Sequence, residues 1–166
     1  MSVCHVILKQ RLTYDEKTGV FRAKINNGCN KAGFVVGSMN GNGYIQIMLN
    51  GKLYLAHRLA WLYINGEFPK GSLDHINRNK DDNRIDNLRV CTLSQNSQNT
   101  NICRNNKSGF KGVHFNKAKN RWVSKAMIKG VSYHIGNFIE LDMAAKAYEN
   151  FAKQMHGEFY AKGELS

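Results

Sequence analysis

Long hydrophobic segments are missing from this chain of 166 residues. The longest apolar run near the N-terminus covers only residues 6–8, which is far too short for a signal peptide or a transmembrane helix. We therefore expect a soluble, intracellular protein that resides in the cytoplasm and has no membrane partner. Because 42% of the residues are apolar and 10% are aromatic, the chain has enough hydrophobic side chains for a packed core.

Closely spaced cysteine pairs are also missing. The chain has four cysteines at wide and unequal spacings, without a C-x-x-C pair: Cys4, Cys29, Cys91 and Cys103. This spacing argues against a zinc ribbon and does not indicate a disulfide framework. We expect these residues to be reduced or buried thiols.

Acidic residues are absent from one long stretch, because no Asp or Glu lies between Asp86 and Glu140. The same stretch carries nine basic residues: Arg89, Arg104, Lys107, Lys111, Lys117, Lys119, Arg121, Lys125 and Lys129. Over the whole chain, 24 Lys and Arg residues exceed 12 Asp and Glu residues, which gives a formal net charge of +12. This imbalance predicts a polyanionic partner, and nucleic acid is the leading candidate.

The chain divides into two parts at a tract rich in Asn, Gln and Ser. This tract, residues 94–108, has the composition of a helix end followed by a linker. We therefore predict one domain over residues 1–106 and a second over residues 107–166. From Glu140 onward, five acidic residues outnumber three lysines, so the basic segment is predicted to be a binding surface supported by a more acidic element.

The first part is predicted to contain short strands and one short helix. Asn50-Gly51 supplies the positive φ values of a type I′ turn and joins two strands as a hairpin. A helix is expected over residues 57–65, with Gly66 as its left-handed C-cap residue. The predicted strands are residues 20–25, 44–49 and 52–56.

The second part is predicted to contain three strands and one helix. The strands are residues 110–115, 121–128 and 131–138. The helix over residues 141–155 carries one apolar stripe, which would pack on one face of the sheet and leave the other, basic face open. The two parts together predict an α+β fold, with N-terminal β-hairpins followed by a three-stranded antiparallel sheet packed on one helix.

Adjacent residues Asp74 and His75 end a short apolar stretch, where a strand would meet a loop. Neighbouring side chains on a strand point to opposite faces, so a local bend would be needed to bring both to one site. The following loop, residues 77–86, is dense in Asn and Asp, which stabilise irregular turns by bonding their own backbone. Asn87 follows this loop directly.

A capping box begins a helix soon after this loop. Thr92 and Gln95 form the pattern T-x-x-Q, in which the two side chains cap the first turn of a helix. Asn96 then lies in the first turns of that helix. A carboxylate, an imidazole and two carboxamides could therefore converge from a strand, a loop and a helix: Asp74, His75, Asn87 and Asn96.

These residues lie within a longer pattern: HRLAW at 57–61, DHIN at 74–77, DNRIDNLR at 82–89 and SQNSQN at 94–99. Over roughly residues 54–100 this pattern resembles the HNH nuclease family, whose active site is a ββα-metal motif. The chain departs from the family at the third position, where Asn96 replaces the second histidine. A homing-type subgroup of phage and intron enzymes is similar in having Asn there.

The resemblance implies a role for each residue of the site. His75 would be the general base that deprotonates a water molecule, and Asn87 would hold the loop and orient His75. Asp74 and Asn96 would hold one divalent ion per site, Mg²⁺ or Mn²⁺ rather than Zn²⁺, since their ligand atoms are oxygens. Two further residues of the pattern, Arg58 and Arg84, would contact phosphate.

Residues 107–161 resemble the plant ethylene-response-factor (Apetala-type) DNA-binding domain. The resemblance rests on SGFKGV at 108–113, RWV at 121–123, HIGNF at 134–138, AAKAY at 144–148 and GEFYA at 157–161. In that family a three-stranded sheet enters the major groove of DNA and the helix lies behind it. The matching positions imply DNA contacts by Lys111, His114, Asn116, Lys125, Met127 and His134, with Arg121 beside them.

We therefore interpret the chain as a metal-dependent DNA endonuclease of the HNH homing type, of phage or mobile-element origin. It would hydrolyse phosphodiester bonds in duplex DNA, as a nick or a double-strand cut, and leave 3′-hydroxyl and 5′-phosphate ends. It would act as a monomer or weak homodimer without a small-molecule cofactor, in the host cytoplasm if phage-encoded. One alternative is a non-catalytic, sequence-specific DNA-binding regulator with a degenerate HNH scaffold, because Asn96 replaces the second histidine of the family. The other alternative is a structured-RNA binder.

Overall fold

A computed structural model describes residues 3–26, 31–92, 95–96, 102, 105–128 and 130–157. The chain forms two compact units, Met1–Cys91 and Thr92–Ser166. Both units combine short antiparallel sheets with helices, so the predicted α+β class is confirmed. The predicted domain division at residues 106 and 107 stays a prediction, because compact units are defined by packing and domains by independent folding.

Among its described residues, the first unit contains two α-helices, α1 and α2, and seven short strands, β1 to β7. In chain order they are α1 His5–Arg11, β1 Leu12–Asp15, β2 Val20–Ala23, β3 Ser38–Met39, β4 Ile45–Leu49, β5 Lys52–Leu55, α2 Ala56–Asn65, β6 Ser72–His75 and β7 Leu88–Cys91. A one-turn 3₁₀ helix, Ile85–Asn87, precedes β7. The strands pair antiparallel as β1–β2, β3–β4–β5 and β6–β7.

Helix α2 lies at the centre of the first unit because its apolar side is wholly buried. Leu59 and Leu62 pack into one cluster with Leu8 of α1 and Phe21 of β2. The helix ends where Gly66 adopts a φ of 80°, the left-handed conformation that glycine accepts without a steric penalty. The predicted helix and its C-cap are therefore confirmed, and α2 begins one residue earlier than expected.

The hairpin β4–β5 confirms its predicted turn. Asn50 and Gly51 have φ values of 51° and 76°, as a type I′ turn requires. The two strands pair in register from Gln46↔Leu55 to Leu49↔Lys52. This hairpin leads directly into α2, so it fixes the start of the helix.

The loop between β6 and β7 is anchored to the rest of the first unit. The Tyr14 hydroxyl donates a hydrogen bond of 2.7 Å to the backbone carbonyl of Asn83. Gly19, in the β1–β2 turn, comes so close to this loop that an added Cβ would lie 2.5 Å from the backbone nitrogen of Arg84. These contacts hold the loop in one shape next to the end of β6.

In the described residues from 105 onward, the second unit is a three-stranded antiparallel sheet packed against one helix. Its elements are β8 Val113–Asn116, β9 Arg121–Ile128, β10 Val131–Phe138 and α3 Leu141–His156, with β9 between the other two strands. The predicted bounds of β9 and β10 are confirmed. Strand β8 begins three residues later than residue 110, because the chain first makes a tight turn at Gly112 with a φ of 72°. An added Cβ there would collide with the Tyr148 ring of α3.

Three other features of the structure bear on what the sequence predicted: helix α1, the cysteines and, in the described part of the chain, the absence of long apolar helices. Helix α1 was not expected, since the sequence at the N-terminus suggested short strands, and its N-cap residue Cys4 makes no side-chain capping bond. Cys4 and Cys91 are free thiols, and Cys29 and Cys103 lie outside the described residues. Among the described residues, no helix has the length and apolar character needed to cross a membrane.

Candidate active site and nucleic-acid interface

Asp74 and His75 are the last two residues of β6, and both are buried. The pairing with β7 continues in register through both residues, as Asp74↔Arg89 and His75↔Leu88. The prediction of a local bend between them is therefore wrong, because β6 pairs regularly with β7 up to His75. The two side chains instead meet different neighbours.

Asp74 is held by the arginine directly opposite it on β7. The Nε and Nη2 atoms of Arg89 donate hydrogen bonds of 2.9 and 2.8 Å to the same carboxylate oxygen, Oδ2. Both side chains are largely buried, with 6% of Asp74 and 15% of Arg89 exposed. A charge-assisted contact of this kind fixes the orientation of the carboxylate. This contact was not predictable from the sequence, since it depends on the strand register.

His75 lies in a small cluster of rings from β6, α2 and the residue before β4. The centroid of its imidazole is 5.0 Å from that of His57 in an edge-to-face arrangement, and 5.9 Å from that of Tyr44. Burial lowers the pKa of His75 below its usual value, while a hydrogen bond with Asn83 and the charge of Asp74 act in the opposite direction. A neutral imidazole can accept a proton, so the protonation state suits a general base.

His57 is the site residue whose position the sequence did not reveal. It lies in the first turn of α2, is 5% exposed, and its Nδ1 atom is buried without a hydrogen-bond partner among the described residues. Burial, followed by the charges of His75 and Arg58, lowers the pKa of His57 to about 4. His57 is therefore a neutral ring that packs on one side of His75. Its place in the HRLAW pattern was the signal that could have assigned it to the site.

Asn87 ties both ends of the β6–β7 loop together. Its Oδ1 accepts a hydrogen bond of 3.0 Å from the backbone N–H of Asn77, and its Nδ2 donates to Asn77 Oδ1 at 3.0 Å and to the Asp82 carbonyl at 2.9 Å. The carbonyl of Asn87 accepts a further bond of 2.9 Å from the N–H of Ile76. Asn87 thus holds the residues that follow His75, and its effect on catalysis stays a prediction.

Replacing Asn87 with Ala should lower the free energy of unfolding of the protein by about 1–3 kcal/mol. The reason is that the buried Asn87 side chain makes three hydrogen bonds to Asn77 and Asp82, and alanine would lose all three. Urea unfolding of the wild type and the variant measures the change. Asn65→Ala is the matched control, because Asn65 is exposed and bonds only the Trp61 carbonyl among the described contacts. Equal losses for the two variants would contradict this role of Asn87.

The two arginines expected to contact phosphate lie in different surroundings. The Arg84 Nη2 atom is 2.6 Å from Asp82 Oδ2, and this hydrogen-bonded partner lowers the pKa of Asp82 to about 2. Arg58 lies on α2 with its guanidinium 5.8 Å from the centre of the Phe68 ring. Both guanidinium groups therefore have protein partners, and their contact with phosphate stays a prediction.

Asn96 belongs to the second unit, so its approach to Asp74 stays a prediction. The capping box that precedes it is confirmed: the Thr92 N–H donates 2.8 Å to Gln95 Oε1, and the Gln95 N–H donates 3.2 Å to Thr92 Oγ1. Gln95 and Asn96 are helical, and the rest of the predicted helix lies outside the described residues.

The expected metal ligands can be tested against the chemistry of the donors. In the part of the chain that the structure describes, no three or more His, Cys, Asp or Glu side chains are arranged to hold a metal. One buried carboxylate, Asp74, and one carboxamide, Asn96, are the predicted ligands. These hard oxygen donors fit Mg²⁺ or Mn²⁺, because Mg²⁺ keeps several water molecules and needs only one or two protein ligands.

The expected DNA-binding residues of the second unit share one face of its sheet. Strand pairing places His114 opposite Val123, Asn116 opposite Arg121, and His134 opposite Lys125. Since side chains alternate along a strand, all of these lie on the same face, while the buried side chains of Ser124, Ala126 and Ile128 lie on the other.

This shared face, the open face, is basic and is accessible except at Val123, which is buried. His114, Lys125 and His134 are exposed and Arg121 is half-buried, while α3 packs on β9 and β10. Lys111 lies outside the strands, just before β8. The arrangement has the geometry expected of a sheet that contacts nucleic acid, and the contacts themselves stay a prediction.

Comparison with known proteins is consistent with the chemistry of the first unit. A family model described as HNH endonuclease matches residues 54–98, which include Asp74, His75 and Asn87. Protein 3.8 of Escherichia phage T7 is 31% identical over 104 residues, which is 62% of this chain and 85% of that protein. The chain belongs to the HNH endonuclease family.

Two further relatives of this HNH-family chain are more distant or longer. An uncharacterized HNH endonuclease of Acanthamoeba polyphaga mimivirus is 31% identical over 116 residues, or 69% of this chain and 59% of that protein. The solved structure described as DNA binding and cleavage by the HNH homing endonuclease I-HmuI is similar with a TM-score of 0.42 and 21% identity. The similarity covers 75% of this chain and 71% of that one.

Proposed function

We propose that the protein is a divalent-metal-dependent DNA endonuclease of the HNH homing type. The observation that carries this proposal is the buried pair Asp74 and His75 at the end of β6, next to a loop that Asn87 holds in place. These residues lie inside the segment that the HNH endonuclease family model matches.

Each residue of the site has one task in the proposed reaction. His75, neutral and packed against His57, takes a proton from the water molecule that attacks the phosphate. Arg89 orients the carboxylate of Asp74, which together with Asn96 would hold one Mg²⁺ or Mn²⁺ ion. Such an ion, when bound, neutralises charge on the scissile phosphate and on the leaving 3′ oxygen. The products would carry 3′-hydroxyl and 5′-phosphate ends.

The open face of the second unit would hold duplex DNA while the first unit cuts it. Its accessible basic side chains, among them Lys125 and Arg121, suit contacts with the phosphate backbone. In the ethylene-response-factor type of domain, which residues 107–161 resemble, the sheet also contacts DNA and the helix lies behind it. Lysines at such positions supply affinity and salt dependence more than choice of sequence.

Supercoiled plasmid incubated with the full chain and Mg²⁺ or Mn²⁺ tests the proposal. Relaxed or linear plasmid should form with the ion and should not form in EDTA. A plasmid that stays intact while the chain still shifts DNA in a gel would favour the non-catalytic regulator instead. Competition by structured RNA that exceeds competition by duplex DNA would favour an RNA partner.

Removing basic side chains from the open face should reduce the salt dependence of DNA binding. Each phosphate contact contributes a slope of about −0.9 to the plot of log affinity against log salt concentration, so Arg121→Ala and Lys125→Ala should each flatten the slope by about one unit. Anisotropy titrations at several salt concentrations measure it. Lys153→Ala is the control, since Lys153 lies on α3 in an ion pair with Glu149. Unchanged slopes for both open-face variants would contradict the assignment of this face.

A further inference from the structure

The second unit has a pocket at the edge strand β8, and most of its strand residues face away from the open face. Its volume is about 360 Å³, and it lies between residues 105–108 and strands β8 and β9. Phe115 and Trp122 are directly opposite each other in the β8–β9 pairing and form part of its lining. They share the face of the buried Ser124, so this aromatic part of the lining lies on the side of the sheet opposite the open face, while His114 of the open face lines the rim on the other side of β8.

One wall of the pocket is braced by side-chain hydrogen bonds. Asn106 Oδ1 accepts bonds of 2.9 Å from the backbone N–H groups of Ser108 and Gly109, and Asn106 Nδ2 donates a bond of 2.8 Å to the Phe110 carbonyl. The Ser108 hydroxyl also donates to the Val113 carbonyl at 2.7 Å. These bonds tie residues 106–110 to the start of β8. The pocket is therefore preformed, which lowers the entropy cost of binding a ligand.

The lining offers an aromatic surface for a flat ligand. The Phe115 ring is 43% exposed, although it is large and apolar. Its centroid lies 5.0 Å from that of the Trp122 ring, with an angle of 63° between the two planes. The edge-to-face contact holds the Phe115 ring in place. An exposed, fixed aromatic ring favours a planar ligand that can stack on it, and nucleobases are such ligands.

The charges around the pocket favour an anionic ligand. Lys107 and Lys117 belong to the lining, and both are exposed. No Asp or Glu lies between Asp86 and Glu140, so no acidic residue near them in the sequence neutralises these lysines. Asn105, also exposed in the lining, adds amide groups that can donate and accept hydrogen bonds. A planar ring attached to a phosphate meets all of these features.

We propose that this pocket, the Phe115 pocket, binds a single unpaired nucleotide of a DNA strand. The base stacks on Phe115, and Lys107 and Lys117 contact its phosphates. The volume of about 360 Å³ lies at the lower end of the range for small-molecule pockets, which suits one nucleotide rather than a duplex. This proposal rests on the proposed function for the presence of DNA. It adds a preference for DNA with an extruded base, which the open face alone does not give.

Two matched duplexes test this proposal with the full chain in EDTA, where no cleavage is expected. One duplex is fully paired, and the other carries a single unpaired 2-aminopurine nucleotide. The wild type should bind the second duplex about tenfold more tightly, since stacking one base on an aromatic side chain contributes about that factor. The fluorescence of 2-aminopurine should also fall, because stacking quenches it.

Variants of the pocket give the deciding comparison. Phe115→Ala should abolish both the preference and the quenching, while the affinity for the paired duplex stays unchanged. Phe115→Leu keeps an apolar side chain and should give the same result, so loss of fold does not explain it. Phe34→Ala is the matched control, since Phe34 is 62% exposed and lies in the first unit. It should keep the preference.

The outcomes separate this proposal from the proposed function. Equal affinity of the wild type for the two duplexes would overturn the Phe115 pocket as a nucleotide site and leave DNA binding intact. A preference that survives Phe115→Leu would place the unpaired nucleotide elsewhere and also overturn the proposal. A chain that binds neither duplex would contradict the DNA partner itself, and with it both proposals.

Discussion

His75→Ala is expected to slow plasmid cleavage by about 10²–10⁴-fold, the usual contribution of a general base. The imidazole is buried at the end of β6 and its pKa is lowered by that burial, so it is neutral and able to accept a proton near neutral pH. An alanine at this position has no group for that task. Initial rates of plasmid relaxation in Mn²⁺, with both proteins at saturating concentration, measure the difference.

DNA affinity should be nearly the same for His75→Ala and the wild type, because the open face that would hold DNA belongs to the second unit. The matched control is His5→Ala, which removes a histidine of the same unit whose Nε2 lies 3.0 Å from the Tyr63 carbonyl. This control should keep the rate of cleavage. A cleavage rate that is equal in His75→Ala and the wild type would exclude His75 as the general base. It would favour the non-catalytic DNA-binding regulator as the role of this site.

Local patterns predicted the elements whose shape is set by a few neighbouring residues. Asn50-Gly51 can adopt positive φ values, so the hairpin β4–β5 followed from the turn alone. The apolar stripe of the helix over residues 141–155 similarly predicted one covered and one open face of the sheet. Helix α1 escaped prediction because it is only seven residues long and lacks a side-chain cap at Cys4.

The candidate site was predictable in its residue types but not in its contacts. Asp74 and His75 follow from the resemblance of the motif, whereas the Arg89 contact depends on which residue of β7 lies opposite Asp74. The packing of His57 on His75 depends on how α2 lies against β6, which no local pattern encodes. The pairing of β6 with β7 stays regular through Asp74 and His75, so the convergence of the two side chains on one phosphate stays a prediction.

Asp74 and His75 are adjacent on β6, so their side chains lie on opposite sides of the strand and have different neighbours. On one side, the ring of His75 contacts other rings and stays neutral. On the other, the carboxylate of Asp74 is paired with the guanidinium of Arg89. A buried carboxylate beside a guanidinium is oriented and compensated in charge before any metal binds. A metal ion held by Asp74 would therefore stabilise the same carboxylate whose charge Arg89 compensates.

Arg89→Met should lower the free energy of unfolding by about 3–5 kcal/mol in EDTA, because it removes one partner of a buried ion pair. The methionine side chain fills part of the same space but cannot compensate the charge of Asp74, which is 6% exposed. If Asp74 is a metal ligand, a divalent ion that binds the folded state stabilises the variant. Urea unfolding with and without saturating Mn²⁺ should therefore show that the ion recovers part of the loss.

Two comparisons make this prediction specific to Asp74. Arg84→Met removes an arginine from the exposed pair with Asp82, so it should cost far less stability and show no added response to Mn²⁺. The double variant Asp74→Asn/Arg89→Met removes both charges of the buried pair, so it should regain stability and lose the extra response to Mn²⁺ together. Equal responses of the single and double variants to Mn²⁺ would mean that the ion binds elsewhere, because only the single variant keeps the carboxylate.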